Sequence, residues 1–130
     1  MAGELILIVE DNEKNRKLER DILQFHGYRT MEADTAEEGL RLAQATPPAL
    51  VLMDIQLPGM NGIEALQQLR ADPRTQAIPV IAVTASVMDR DRQKIMAAGF
   101  DGYQAKPIEV TQFVAAVRAA VGRPTAGDPP

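Results

Sequence analysis

The chain has 130 residues, 45% of them apolar and 25% charged, with one histidine, no cysteine and a formal net charge of −4. That length suits one domain, and the lack of cysteine excludes disulfides, thiolate catalysis and cysteine-ligated metal centres. A lone histidine excludes a multi-histidine metal site, and the acidic balance argues against a nucleic acid or anionic membrane held by bulk electrostatics. No apolar run approaches the roughly 20 residues that span a bilayer. Met1–Glu4 lacks the basic start of a secretory signal. The expectation is a cytoplasmic, single-domain protein that works through oxygen chemistry.

Taken in chain order, Leu5-Ile6-Leu7-Ile8-Val9 is an unbroken apolar run of strand length. Leu18, Ile22 and Phe25 recur at helical spacing, and Gly27 supplies a C-terminal stop. Arg29–Ala33 is a more polar strand. Thr35 with Glu38 reads as a capping box that opens a helix through Leu40 and Ala43, closed by Pro47-Pro48. Leu50–Met53 is a second apolar strand, and Ile63, Leu66 and Leu69 mark a helix ending before Pro73. Val80–Val83 is a third apolar strand, followed by a weakly amphipathic helix over Met88–Ala98. Gly102–Ala105 is the second polar strand, and Val110, Phe113, Val117 and Val121 mark the last helix. The domain is expected over residues 5–121, with an extension at 1–4 and a disordered tail at 122–130.

Five βα units in succession imply a parallel sheet with right-handed crossovers and helices on both faces. Continuous apolar strands belong in the middle of such a sheet and polar ones at its edges. The predicted fold is therefore α/β and doubly wound, (βα)5, with strand order 2-1-3-4-5. Ligands then bind beyond the carboxyl ends of the strands, at the switch point between strands 1 and 3.

The residues at that face carry the chemistry. Strand 1 runs into Glu10-Asp11, strand 3 into Asp54, strand 4 into Thr84 and strand 5 into Lys106-Pro107. Three converging carboxylates need a counter-charge. All-oxygen ligation suits a hard dication, Mg²⁺ first. A carboxylate can be a nucleophile toward a phosphoryl donor, with the metal screening anion against anion. Lys106 can offset charge on the phosphoryl oxygens and Thr84 can donate a hydrogen bond to them.

At these residues the sequence resembles the receiver domain of two-component response regulators, the CheY-like fold. The resemblance rests on Ile8-Val9-Glu10-Asp11-Asn12, Leu52 through Gly62 around Asp54, Ile78-Pro79-Val80-Ile81-Ala82-Val83-Thr84-Ala85 and Lys106-Pro107-Ile108. More narrowly, the chain resembles DivK-type single-domain regulators and the receivers of hybrid histidine kinases. The resemblance implies that Asp54 is the phosphoacceptor. It makes Glu10 and Asp11 the acidic metal pair, Asp11 the direct ligand, with the Gln56 backbone carbonyl as a further ligand. It gives Thr84 and Lys106 the phosphoryl contacts, Tyr103 the role of switch aromatic, and Lys106-Pro107 a cis bond. The resemblance also implies that Gln56 and Ser86 flank the path of attacking water, and neither is charged, so slow to moderate self-dephosphorylation is expected. The implied cofactor is Mg²⁺, with Mn²⁺ as a substitute. The implied partners are a sensor histidine kinase or a histidine phosphotransfer protein and a downstream protein target, with neither nucleic acid nor membrane. The expected readout surface is helix 4, strand 5 and helix 5.

A Mg²⁺-dependent phosphohydrolase of the haloacid-dehalogenase type is the competing reading. It calls for Asp-x-Asp-x-Thr after strand 1, where this chain has Glu10-Asp11-Asn12-Glu13. A partner-binding pseudo-receiver is disfavoured by the intact set. His26 is read as a helix-end residue, Asp34, Asp72 and Asp101 as caps and turns, and Phe100 as packing.

Overall fold

The computed structural model describes residues 3–85 and 89–122, with the side chains of 89–91 outside the description. The order is β1 (Leu5–Val9), α1 (Glu13–Phe25), β2 (Arg29–Ala33), α2 (Ala36–Ala45), β3 (Leu50–Asp54), α3 (Gly62–Ala71), β4 (Val80–Thr84), α4 (Asp89–Ala98), β5 (Gly102–Ala105) and α5 (Val110–Val121). All strands are parallel, in the order β2-β1-β3-β4-β5. This is the predicted (βα)5 arrangement. Met88 and the residues from 123 onward lie outside the described residues. Among those described, no helix is long and apolar enough to cross a membrane.

The alternation of side chains along each strand divides the core in two. Leu7, Val9, Val51, Met53, Val80 and Ala82 face α2, α3 and α4, meeting Leu40, Leu66, Leu69 and Ile95. Ile6, Ile8, Leu50, Leu52, Ile81 and Val83 face α1 and α5, meeting Ile22, Leu23, Phe113 and Val117. Every residue of β3 and β4 is buried, while β2 and β5 are only partly so. Burial on both faces is what an unbroken apolar run requires.

Three local readings need correction. Leu18 and Phe25 are exposed, Phe25 at 86%, and the inward face of α1 is Glu19, Ile22 and Leu23. Stripes through 18-22-25 and 19-22-23 share Ile22 and fit a 3.6-residue period equally well. Asn12 opens the helix, its side chain accepting from the Asn15 N–H at 3.0 Å, and packing against the sheet selects the 19-22-23 stripe. The Thr35–Glu38 box is half made: Thr35 caps the Glu38 N–H, but the Glu38 carboxylate turns to Arg41. A reciprocal capping box instead opens α3, between Asn61 and Glu64. Val110 is exposed, and Phe113, Val114, Val117 and Ala120 form the inward face of α5.

The stop after α1 is as read. Gly27 has φ +90°. The Tyr28 N–H reaches the Leu23 carbonyl and the Gly27 N–H the Gln24 carbonyl, a Schellman closure. His26 is the capping residue there, its Nδ1 donating to the Ile22 carbonyl at 2.9 Å. In a βα unit that helix end lies at the opposite edge of the sheet from the strand carboxyl ends.

Candidate functional site

Four strands end side by side, and each delivers one part of the site. Pairing of Val9 with Met53, Asp54 with Val83, and Thr84 with Ala105 brings the ends of β1, β3, β4 and β5 into line. Glu10 follows β1 and is only 1% exposed, whereas Asp11 beside it is exposed. Asp54 ends β3 at 3% exposed and Thr84 ends β4 at 1%. Lys106 follows β5 and starts a cis peptide bond to Pro107.

Carboxylate oxygens of Glu10, Asp11 and Asp54 lie within 4.8 Å of one another. The Lys106 Nζ lies 2.6 Å from Glu10 Oε1 and donates to Asp54 Oδ2 at 3.0 Å. Burial pushes the Glu10 carboxyl above its ordinary range, and contact with Asp54 adds to this. Lys106 and the Asn12 N–H pull the other way without overcoming it. Burial works against the Lys106 ammonium, yet its contacts with Glu10 and Asp54 outweigh that and raise its pKa. Lys106 is thus held firmly cationic between two acids.

Three carboxylates against one ammonium leave two uncompensated negative charges when all are ionised. A dication matches that deficit, and an all-oxygen donor set matches a hard one. Asp11, exposed beside its two buried partners, is the open side of the cluster.

The backbone around Asp54 is fixed from both sides. The Gln56 N–H donates to Asp54 Oδ1 at 3.0 Å. The chain turns through Gly59, at φ +73°, and returns at Gly62, whose N–H donates to the Ile55 carbonyl at 3.1 Å. A Cβ on Gly62 would stand 2.5 Å from the Asp54 carbonyl oxygen and 2.9 Å from Ile55 Cα. Only glycine lets the start of α3 lie directly on the backbone that carries the Asp54 side chain.

The remaining expected residues fall as follows. Gln56 is exposed. Ser86 lies outside the described residues. Tyr103 is half-buried, paired opposite Ala82, on the α4 face of the sheet. Thr84 lies two residues beyond Ala82 on that same face, and its carbonyl accepts from the Lys106 N–H at 2.8 Å. Asp72 caps the end of α3 and pairs with Arg74. Asp101 accepts from the Val80 N–H and pairs with Arg70. Phe100 is buried in the core.

Two contributors escaped the sequence reading. Arg16 donates to the Glu10 carbonyl at 2.8 Å and lies 3.6 Å from Glu32, so it braces the β1–α1 turn. Glu19 is 1% exposed, and its Oε2 has no hydrogen-bond partner among the described residues. Burial pushes its carboxyl up to about 8, with the charges of Glu10 and Asp54 adding to the effect and Lys106 opposing it. In sequence Glu19 sits in the charged run Lys17-Leu18-Glu19-Arg20-Asp21, and nothing there marks it as buried.

Comparison with known proteins sets this geometry in context. The family model for the response regulator receiver domain matches residues 6–118. The polar-differentiation response regulator DivK of Brucella ovis is 43% identical over 117 residues, covering 90% of this chain and 95% of the relative. DivK of Brucella anthropi matches to the same extent. Among solved structures, the receiver domain of a sensor histidine kinase from Pseudomonas aeruginosa is similar, with a TM-score of 0.87 and 31% identity. The match covers 94% of this chain and 100% of that one. That structure has a magnesium ion coordinated in the active-site cleft.

Proposed function

The chain belongs to the response regulator receiver domain family, a family of signalling domains, and on that premise we propose that it is a phosphorylation switch built on Asp54. The carrying observation is a buried Asp54 carboxylate that accepts from Lys106 at 3.0 Å, with Glu10 and Asp11 oxygens within 4.8 Å. The donor is the phosphohistidine of a sensor histidine kinase or a histidine phosphotransfer protein. An Asp54 carboxylate oxygen attacks phosphorus, the P–N bond breaks, and the imidazole leaves with the bonding electron pair. Lys106 offsets charge on the transferred group's oxygens, and the Thr84 hydroxyl donates to them.

Asp11, Asp54 and the Gln56 carbonyl are the residues to hold Mg²⁺, with Glu10 completing the acidic set. The bound ion screens the anionic nucleophile from the anionic donor. Mn²⁺ fits the same oxygen ligands. The chemistry is confined to self-catalysed transfer and later hydrolysis. Gln56 and Ser86 carry no charge, so neither is a strong general base and the phosphoryl group decays slowly to moderately. Phosphorylation draws Thr84 toward the new oxygens, Tyr103 moves toward the space left at the end of β4, and the α4–β5–α5 surface changes. A cytoplasmic protein target reads that surface.

Asp54→Asn tests this reading. It should abolish Mg²⁺-dependent labelling by a radiolabelled phosphorylated kinase while the far-UV circular dichroism stays native. Undiminished labelling of that variant would refute the assignment.

A further inference from the structure

Tyr103 does not sit free on the α4 face of the sheet. The Arg92 guanidinium of α4 lies over its ring, 4.8 Å from the centroid, within the range where a cation is attracted to an aromatic face. We propose that Arg92 is a positioning residue that holds Tyr103 in this rotamer and so sets the threshold of the switch. The proposal rests on the reading of Tyr103 as the switch aromatic.

The geometry supports such a role in three ways. Arg92 and Ile95 stand three apart on α4 and share a face. Ile95 enters the core, 3% exposed, and Arg92 is thereby placed beside it at the edge of β5. Tyr103 packs against the core cluster containing Ala82, Ile95 and Phe100, with the small Ala82 as its partner across the β4–β5 pairing. The direction from that position toward Thr84 runs along one face of the sheet, two residues on. Finally, α4 is thinly anchored. Among its described side chains only Ile95 is buried, while Arg92, Gln93, Lys94, Met96 and Ala97 are exposed. The stack of Arg92 on Tyr103 is one tie of this helix to β5, beside the inward packing of Ile95 and Ala98. A ring that leaves for Thr84 must give up the guanidinium, and α4 loses that tie at the same step.

An exposed cation–π pair shifts a two-state equilibrium by roughly two- to fivefold. Removing Arg92 should favour the displaced ring by that factor, and with it any ligand that binds the displaced state better.

The chain has two tyrosines, Tyr28 and Tyr103. The protein labelled with 3-fluorotyrosine therefore gives two ¹⁹F resonances. These are followed in the wild type, Arg92→Ala, Arg92→Gln and Arg92→Lys during titration with beryllofluoride and Mg²⁺. The Arg92 side chain is itself exposed, so the variants should retain the fold, and an unmoved Tyr28 resonance reports that they do. The expected result has three parts. The Tyr103 resonance of the wild type moves with beryllofluoride. Arg92→Ala and Arg92→Gln shift that resonance before any ligand is added and reach half-saturation at two- to fivefold lower beryllofluoride. Arg92→Lys, which keeps the cation, stays closer to wild type. A wild-type Tyr103 resonance that ignores beryllofluoride overturns the switch reading, and this proposal with it. A resonance that responds in every variant with an unchanged or raised midpoint overturns the role of Arg92 alone.

Discussion

Replacing Glu19 by glutamine should flatten the dependence of stability on pH. The side chain is 1% exposed, and its Oε2 has no hydrogen-bond partner among the described residues. Burial raises the carboxyl from an ordinary 4.5 to about 8, with Glu10 and Asp54 contributing and Lys106 opposing. The unfolded chain releases this proton near pH 4.5, whereas the folded protein holds it until about pH 8. Between those values the folded state binds more protons, so the stability against unfolding falls as pH rises. The contribution is fully present below the unfolded value and is lost progressively through the folded one. Going from about pH 5 to about pH 7.5, the wild type should lose about 3 kcal/mol from this group, at 1.36 kcal/mol per unit. Glu19→Gln cannot titrate and should not show that loss. Any cost of burying the amide is the same at both pH values and cancels from the comparison. Urea unfolding followed by far-UV circular dichroism, without divalent cations, gives both differences. Parallel pH dependences for the two proteins would refute the argument.

Two further outcomes follow from the backbone and rim of the site. Gly62→Ala places a methyl group against the Asp54 carbonyl oxygen and Ile55 Cα, and neither is the end of a flexible side chain. The variant should lose roughly 1–3 kcal/mol and take up phosphoryl groups from acetyl phosphate more slowly; full stability at an unchanged initial rate would contradict the close packing. Gln56→Glu places a carboxylate at the exposed rim beside Asp54 and should shorten the lifetime of the phosphoryl group by about threefold or more, as an added general base does. An unaltered decay in a time course of the purified phosphorylated protein would remove Gln56 from the path of attacking water.

A phosphorylation switch of this kind has to reconcile a tight acidic cluster with a responsive surface. The rigid half is the ends of the three central strands, where Glu10, Asp54 and Thr84 are almost fully buried. The compliant half is α4, which presents one buried residue among its described side chains. The two halves meet on one face of β4 and β5, where Thr84 and Tyr103 lie. Local elements with few buried contacts are the ones that open most easily.

The sequence by itself determined the architecture and the chemical set. Unbroken runs at Leu5–Val9, Leu50–Met53 and Val80–Val83 require burial on both faces, and that places these strands inside and the polar ones at the edges. With that order, strand ends at Glu10, Asp54, Thr84 and Lys106 have to converge, because parallel strands all point one way. Short-range signals at chain reversals, such as Gly27 after α1, were equally legible, since they depend only on neighbouring residues. What the tertiary structure decided is what depends on surfaces distant in sequence. The phase of α1 is one case: helical spacing fits Leu18 and Phe25 as well as Glu19 and Leu23, and only packing against the sheet selects the second pair. The burial of Glu19 follows from that choice, and no local property of a glutamate in a charged run foretells it. Gly62 is another, since its need for glycine comes from the Asp54 and Ile55 backbone against which α3 starts. The stack of Arg92 on Tyr103 joins a helix to a neighbouring strand through a contact that leaves no periodic trace in either. Periodicity records which side of an element is apolar, whereas the partner met there is fixed only when the elements pack.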